Sequence, residues 1–336
     1  MNNPGVGIAI TGSGSATPAQ AVANQALSTI VDTSDEWIAD RTGIQSRRLA
    51  SSSESLTELA TAAARSAIAA AGMTPADIDM IILATSTADD LFGSASAIQG
   101  RLGASKAVAF DLTAACSGFL FAMVTAAQFI RTGVYQNVVV IGADILSRWV
   151  DWSDRTTCVL FGDGAGAVVM QASMEDDRLL SFYLASDGTQ NDCLQLPFGG
   201  EPTALLPQVS IAKGTYHPIT MKGREVYRFA VSKVPEVIEK SLFRANLTTD
   251  QIDWLLLHQA NQRILDAVAD RLHIPSAKVL SNLAHYGNTS AASIPLALDE
   301  AVRAGKIQPG HIIAASGFGA GLTWGAAIFQ WGSNDK

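Results

Sequence analysis

Ala71-Gly72-Met73-Thr74-Pro75-Ala76-Asp77-Ile78-Asp79 runs into the apolar strand Met80–Leu83, and 174 residues later Ala245-Asn246-Leu247-Thr248-Thr249-Asp250-Gln251-Ile252-Asp253 runs into Trp254–Leu257. Further on, Arg131-Thr132-Gly133 and the apolar strand after it match Arg303-Ala304-Gly305 and its own strand, at an offset of 172. A repeat this long is a duplicated domain, because solenoid repeats have periods of about 20–50 residues. Each half reads helix, strand, loop, strand, turn, helix, strand. That order predicts α/β units on mostly parallel or mixed sheets. The 336 residues divide naturally into two similar half-domains, 1–178 and 179–336.

Within the first half, Phe110-Asp111-Leu112-Thr113-Ala114-Ala115-Cys116-Ser117-Gly118-Phe119 joins a strand-like run (Ala107–Leu112) to a helix. Phe119, Leu120, Met123, Ala126, Ala127 and Ile130 share one helical face, and Gly133 closes the helix. A thiol at such a strand-to-helix turn would have a lowered pKa and nearby free N–H groups for a developing oxyanion. A lone cysteine is more often a small buried residue, but the repeat supplies it with partners. Adding 172 to 116 reaches Asn288, in His285-Tyr286-Gly287-Asn288-Thr289-Ser290, and adding 174 to Ala84 reaches His258, in Leu257-His258-Gln259-Ala260-Asn261. Cys116 and Asn288 would thus hold equivalent helix-start positions, with His258 at a strand end. Ligand sites gather beyond the carboxyl ends of strands, so packing about a pseudo-two-fold axis would bring the three together. Taken singly, Asn288 could cap a helix and His258 could be a core histidine. Pro295 lies too deep for a helix starting at Thr289, which predicts a late start or a kink.

The chain is 48% hydrophobic and 16% charged, that of a globular protein with ample core. A net charge of −8 disfavours nucleic acid. Cys116, Cys158 and Cys193 form no disulfide framework; Cys158 reads as core strand and Cys193 as loop. Five histidines without Cys/His clustering argue against a metal site. Met1-Asn2-Asn3-Pro4-Gly5 lacks the basic-then-apolar order of a signal peptide, and no run of about 18 apolar residues occurs, so a cytoplasmic or stromal place off the membrane is the expectation. Two glycine-rich stretches, Thr11–Ser15 and Phe161–Ala167, lack both the P-loop lysine and the dinucleotide fingerprint, and tight strand packing is the better reading of the second. The polar segment Met174–Glu201 is expected to join the halves.

In combination and order, several motifs resemble the 3-oxoacyl-[acyl-carrier-protein] synthase III family across essentially the whole chain. They are Thr33-Ser34-Asp35-Glu36-Trp37-Ile38 followed by Arg41-Thr42-Gly43-Ile44, Ala114–Phe119, Asp154-Arg155, Phe161–Ala167, His258-Gln259-Ala260-Asn261, Gly287–Ser290, and Gly317-Phe318-Gly319-Ala320-Gly321. The resemblance implies the thiolase fold, two duplicated α/β halves in a layered αβαβα architecture, and the initiating condensation of dissociated fatty-acid synthesis. It makes Cys116 the acylated nucleophile and sets His258 and Asn288 beside the site of decarboxylation. Trp37 and Arg155 would sandwich the adenine of coenzyme A, with Arg41 near its phosphates and Asn261 near the pantetheine arm. Gln259, Ala260, Asn261, Gln262 and Arg263 match the region that meets acyl carrier protein (ACP). The last glycine-rich turn carries Ala320 in place of a third glycine; a backbone N–H serves regardless of a methyl group, so Ala320 and Cys116 remain the expected oxyanion donors, provided the φ of Ala320 suits a Cβ. In Asp89-Asp90-Leu91-Phe92, Leu91 stands where a partner subunit's aromatic can close the acyl pocket in this family, which implies a homodimer and leaves the primer length open.

The chemistry the resemblance implies is acylation of Cys116 by an acyl-CoA, with acetyl-CoA the expected primer, then decarboxylation of malonyl-ACP and attack of the carbanion on the acyl-enzyme, with acyl-CoA a substrate and no cofactor. Cys, His and Asn also serve papain-like hydrolysis, but Cys116 lies mid-chain without the Cys-Gly-Ser/Ala-Cys-Trp/Tyr signature. A thiolase would want a second cysteine near the last glycine-rich turn, and none follows Cys193. Two readings stay open here: transfer of the acyl group to an oxygen or nitrogen nucleophile, and a catalytically silent binding paralogue. Arg263 and Arg271 after His258, with Arg224 and Arg228 on the preceding helix, are expected to form a basic patch at the tunnel mouth; Asp266 and Asp270 dilute it.

Overall fold

The computed structural model describes residues 6–174 and 176–332; the N-terminal residues read for a targeting signal lie outside them. Ten strands carry the fold: β1 (Gly7–Ala16), β2 (Met80–Ala84), β3 (Val108–Leu112), β4 (Asn137–Ile145), β5 (Asp163–Ser173), β6 (Leu179–Ser186), β7 (Trp254–Leu257), β8 (Val279–Leu280), β9 (Ile312–Gly319) and β10 (Thr323–Gln330). The first sheet runs β1-β5-β4-β2-β3 and the second β6-β10-β9-β7-β8. The two orders are the same when each half is counted from its own first strand. Directions match too. The inner pairs β2/β3, β2/β4, β7/β8 and β7/β9 are parallel, and β4/β5, β1/β5, β9/β10 and β6/β10 are antiparallel. The duplication legible in the sequence is therefore a duplication of topology.

Both faces of both sheets are covered, which is why the strands read as continuous apolar runs. Met80, Ile82, Val138 and Val140 of the first sheet meet Leu256, Ile313, Ala315 and Phe329 of the second in one core, filled by α4 (Gly118–Arg131) and α7 (Ser293–Arg303). The alternate residues Ile81, Leu83, Val139 and Ile141 face outward onto α2 (Leu56–Ala70) and α3 (Ala95–Leu102). In the second sheet Leu255, Leu257, Ala314 and Ile328 face α5 (Gly223–Ala245) and α6 (Gln262–Arg271). The result is the expected αβαβα stack.

The helix starts correct one part of the sequence reading. α4 begins at Gly118 after the 3₁₀ turn Ala115–Ser117, and α7 begins at Ser293 after the 3₁₀ turn Ser290–Ala292. The offset there is 175, and Ala115 (φ 47°) and Ser290 (φ 51°) carry the same left-handed backbone. Cys116 therefore corresponds to Ala291, and Asn288 precedes its turn. The offset of 172 at the helix ends arises because α7 has 11 residues and α4 has 14. Pro295 falls in the first turn of the late-starting α7, where its missing N–H costs nothing. Cys158 lies in a wound turn rather than a strand, its N–H bonding to the Asp154 carbonyl at 3.0 Å, though it is buried as expected. Met174–Glu201 is not mainly a linker, since β6 already opens the second sheet at Leu179.

The two turns pack reciprocally. A methyl group on Gly142 of β4 would lie 2.1 Å from the Ala291 carbonyl oxygen, and one on Gly317 of β9 would lie 3.5 Å from that of Cys116. These are pseudo-symmetric counterparts: each half rests its turn on a glycine of the other half's strand. Gly142→Ala is accordingly expected to destabilise by roughly 1–3 kcal/mol, as overpacking does. A thermal melt with an unchanged midpoint would show that the turn has room to yield. The early glycine-rich stretch has the same explanation, since methyls on Gly12 and Gly14 would each lie 2.3 Å from a backbone oxygen of α2.

Candidate active site

Cys116 is 8% exposed and lines a cavity of about 1150 Å³ with Phe110, Leu112, Leu146, Trp149, Phe161 and Ile219; Ser290 and Ala320 lie on its wall. Ser117 Oγ donates to the Ala114 carbonyl at 2.8 Å and sits 2.8 Å from Thr323 Oγ1, tying the nucleophile turn to β10. A methyl on Gly319 would approach within 2.6 Å of the Cys116 nitrogen, so only glycine lets β9 pass so close. Ala320 follows at the strand end without a left-handed φ, a backbone an alanine adopts freely.

Asn288 and His258 are buried and do not line that cavity. Asn288 is clamped at both backbone ends, its N–H to the Leu160 carbonyl at 2.8 Å and its carbonyl from Gly162 N–H at 3.0 Å. Its Oδ1 accepts from Ser290 N at 2.9 Å, so the amide NH₂ is the end left to meet a ligand. His258 continues the β7 ladder, its N–H bonding to the Ser316 carbonyl at 2.8 Å, and its ring meets Phe318 edge-on with centroids 5.4 Å apart. Its Nδ1 lies 2.7 Å from Ser293 Oγ, which also accepts the Gln259 N–H at 3.4 Å. We assign Ser293 as the donor to Nδ1, which places the ring proton on Nε2. Burial drives the imidazole pKa down to about 3, so the ring is a neutral N–H donor.

One turn, Asn288–Ser293, thus gathers the three. It holds Asn288 at its start, touches Cys116 Sγ through Ser290 Oγ at 3.4 Å, and orients His258 through Ser293. The thiol departs from expectation: burial, reinforced by the Asp144 carboxylate, pushes the Cys116 pKa up to about 12. The helix proper starts two residues later, at Gly118. Ser290, Ser293 and Asp144 were not singled out as chemical residues from the sequence. Ser290 lay inside a quoted motif, whereas Asp144, at the end of an apolar strand, carried no local signal.

Comparison along the whole chain places the protein in a known family. The family described as 3-oxoacyl-[acyl-carrier-protein (ACP)] synthase III matches residues 110–188, and its C-terminal region matches residues 242–331. A beta-ketoacyl-[acyl-carrier-protein] synthase III of Trichormus variabilis is 71% identical over 327 residues, 97% of this chain and 99% of its own. The chain belongs to the synthase III family. It is an initiating condensing acyltransferase of type II fatty-acid synthesis. The crystal structure of the Aquifex aeolicus 3-oxoacyl-[acyl-carrier-protein] synthase III superimposes with a TM-score of 0.89 at 43% identity, covering 97% of this chain and all of that one. The OleA structure from Xanthomonas campestris, 20% identical, shares the thiolase fold at a TM-score of 0.82.

Around this synthase III core, Trp37 and Arg41 sit on α1 (Asp35–Thr42), capped by Ser34. The Arg155 guanidinium lies 5.3 Å and that of Arg41 5.8 Å from the Trp37 ring centroid. Asn261 caps α6 through Oδ1 and donates to the Arg41 carbonyl at 3.1 Å, coupling the second half to α1. Gln259 is a correction: it is 0% exposed, with its amide bonded to the Leu257 carbonyl at 2.7 Å, so it cannot touch a docking partner. It braces the His258 loop instead. Ala260, Asn261 and Gln262 are half-buried and Arg263 is exposed. Arg224, Arg228, Arg263 and Arg271 are all exposed, and none forms an ion pair among the described residues. Leu91 and Phe92 are 84% and 100% exposed at the cavity's edge. Among the described residues no helix is long and apolar enough to cross a membrane.

Proposed function

We propose that acyl-CoA, acetyl-CoA first among primers, acylates Cys116, and that the acyl-enzyme then condenses with malonyl-ACP to give 3-oxoacyl-ACP, CoA and CO₂. What supports this is the single turn Asn288–Ser293: its Ser290 Oγ lies 3.4 Å from Cys116 Sγ, and its contacts to Asn288 Oδ1 and His258 Nδ1 leave Asn288 Nδ2 and His258 Nε2 as neutral N–H donors. The acyl group lies in the apolar cavity. Backbone N–H groups of Cys116 and Ala320 take the tetrahedral oxyanion. When malonyl thioester loses CO₂, negative charge gathers on its thioester oxygen, and the two side-chain donors meet it; each such donor is worth about 2.7–4 kcal/mol. The enolate attacks the acyl carbon and expels the Cys116 sulfur. These steps balance with no metal or redox cofactor.

Trp37 and Arg155 suit the two faces of an adenine. Arg155 is held by the exposed Asp32, at 3.0 Å to its carbonyl and 3.5 Å to its carboxylate, and by the Trp37 ring, and can swing outward as the base enters. Arg41 then serves the phosphates and Asn261 the pantetheine arm. Ala260–Arg263, with Arg271, Arg224 and Arg228, form the basic face for the acidic carrier protein. A second copy closes the cavity edge at Leu91 and Phe92, making a homodimer, and the protein works in the cytoplasm.

Intact-protein mass spectrometry after mixing with a panel of acyl-CoA compounds tests the reading. The expected result is one acyl adduct on Cys116, followed by CO₂ release when malonyl-ACP is added. Adducts elsewhere, or acyl transfer to an alcohol or amine without CO₂, would overturn it. The pH dependence adds a sign. A folded histidine with a depressed pKa stays neutral below its ordinary 6.5, so the malonyl decarboxylation rate is expected to stay flat as pH falls through that value. A loss of rate centred near 6.5 would show an exposed, titrating ring. The same linkage removes stability as pH falls from about 6.5 toward 3, where the unfolded chain binds a proton that the folded chain refuses.

A further inference from the structure

The reading of Cys116 as the acylated nucleophile leaves one proton unaccounted for. The sulfur must lose its proton to attack, yet His258 already carries its ring proton on the free nitrogen and can only donate. Asp144, at the end of β4, is 0% exposed. It accepts from Thr85 Oγ1 at 3.1 Å, Ser86 N at 2.9 Å, Thr87 Oγ1 at 2.8 Å and Ala291 N at 3.2 Å. No Lys, Arg or His pairs with it among the described residues. The Ser290 hydroxyl sits between the two groups: it lies 3.4 Å from Cys116 Sγ, the next N–H of its turn, Ala291, bonds to Asp144 at 3.2 Å, and the hydroxyl itself acts on the Asp144 carboxyl against the effect of burial. One hydroxyl proton serves two acceptors. Aimed at the carboxylate, Ser290 can accept the S–H; aimed at sulfur, it stabilises a thiolate.

We propose that Ser290 and Asp144 form a proton relay that ionises Cys116 for acylation. The S–H proton passes to Ser290 Oγ as the Ser290 proton passes to Asp144, leaving thiolate, hydroxyl and carboxylic acid. The thiolate adds to the acyl-CoA carbonyl and expels CoA thiolate, which takes a proton from solvent. When the later condensation expels the Cys116 thiolate, Asp144 returns its proton through Ser290. One solvent proton is consumed per cycle, as replacing the malonyl carboxylate with CO₂ and free CoA requires. Burial raises the proton affinity of Asp144 and makes it a competent acceptor. Ser290 is the catalytic residue here; Asp144 acts through it as a positioning residue that stores the proton.

Simple electrostatics predicts the opposite behaviour, which makes the test one of sign. The Asp144 charge by itself raises the thiol pKa. If charge were all, Asp144→Asn would speed alkylation of Cys116 by iodoacetamide. The relay requires that Asp144→Asn slow it tenfold or more at neutral pH. It also predicts a wild-type alkylation rate flat across neutrality, because the transfer is internal, against about tenfold per pH unit in the variant. Ser290→Gly is the second variant. Its left-handed φ suits glycine, so the turn keeps its path while the hydroxyl is lost, and it is expected to behave like Asp144→Asn. A loosened turn would expose the sulfur and speed alkylation, so slowing cannot come from partial unfolding. Equal or faster alkylation in either folded variant would overturn the relay. Acyl-CoA labelling of the wild-type protein separately decides the nucleophile reading.

Discussion

Cys116→Ser is expected to abolish condensation of acyl-CoA with malonyl-ACP, with a loss on the order of 10⁴-fold or more, as removal of a covalent nucleophile does elsewhere. The substitution changes one atom and keeps the 3₁₀ turn, the Gly319 approach and the cavity wall. The change is chemical. A thiol ionises near 8.5 in water, whereas a hydroxyl does not ionise in the accessible range, so an acceptor that manages a proton from sulfur fails with one from oxygen. Single-turnover acylation with a labelled acyl-CoA measures the loss directly. A variant that kept acylation within tenfold of wild type would show that sulfur is not the reacting atom.

His258→Ala is expected to lower malonyl decarboxylation by about 10²–10³-fold, the usual cost of removing one oxyanion-type donor. The ring is neutral, oriented by Ser293 at 2.7 Å and shielded by Phe318, so its Nε2–H acts in a site that is nearly dry. Asn288→Ala should cost a similar factor. The double variant should lose less than the product of the two, because both donors serve one oxygen. The acylation half-reaction separates this from collapse of the site: a lesion confined to decarboxylation leaves the acyl adduct on Cys116 forming at its normal rate. Equal damage to both half-reactions would assign His258 a structural task instead.

The candidate site was legible to differing depths. Cys116, His258 and Asn288 could be singled out because motifs and the internal repeat marked them, and the structure gathers all three about one turn. The reason offered for Asn288 was wrong in register, since α7 is three residues shorter than α4 and the offset of 172 at the helix ends becomes 175 at their starts. Sequence spacing cannot show where an insertion sits within a repeat. Gln259 was expected among the docking residues because Gln259–Arg263 resembles the stretch that meets the carrier protein in the family, but its amide closes a hydrogen-bond gap between the Leu257 and Leu280 carbonyls, out of reach of any partner. The Cys116 pKa erred for a related reason. The helix-start argument is local, whereas burial by β9 and the carboxylate of Asp144 come from distant segments.

Periodicity, repeat length and local turn chemistry act through neighbours in the chain, so the α/β class, the duplication and the late start of α7 were determined by the sequence alone, which also marked Cys116, His258 and Asn288 as candidates. The close passage of β9 over Cys116, the contact of Ser293 with His258, the approach of Ser290 to the sulfur, and the burial of the thiol were decided only by the tertiary structure. Each depends on which groups lose their water and which dipoles replace it, and that follows from packing residues more than 25 positions apart against one another.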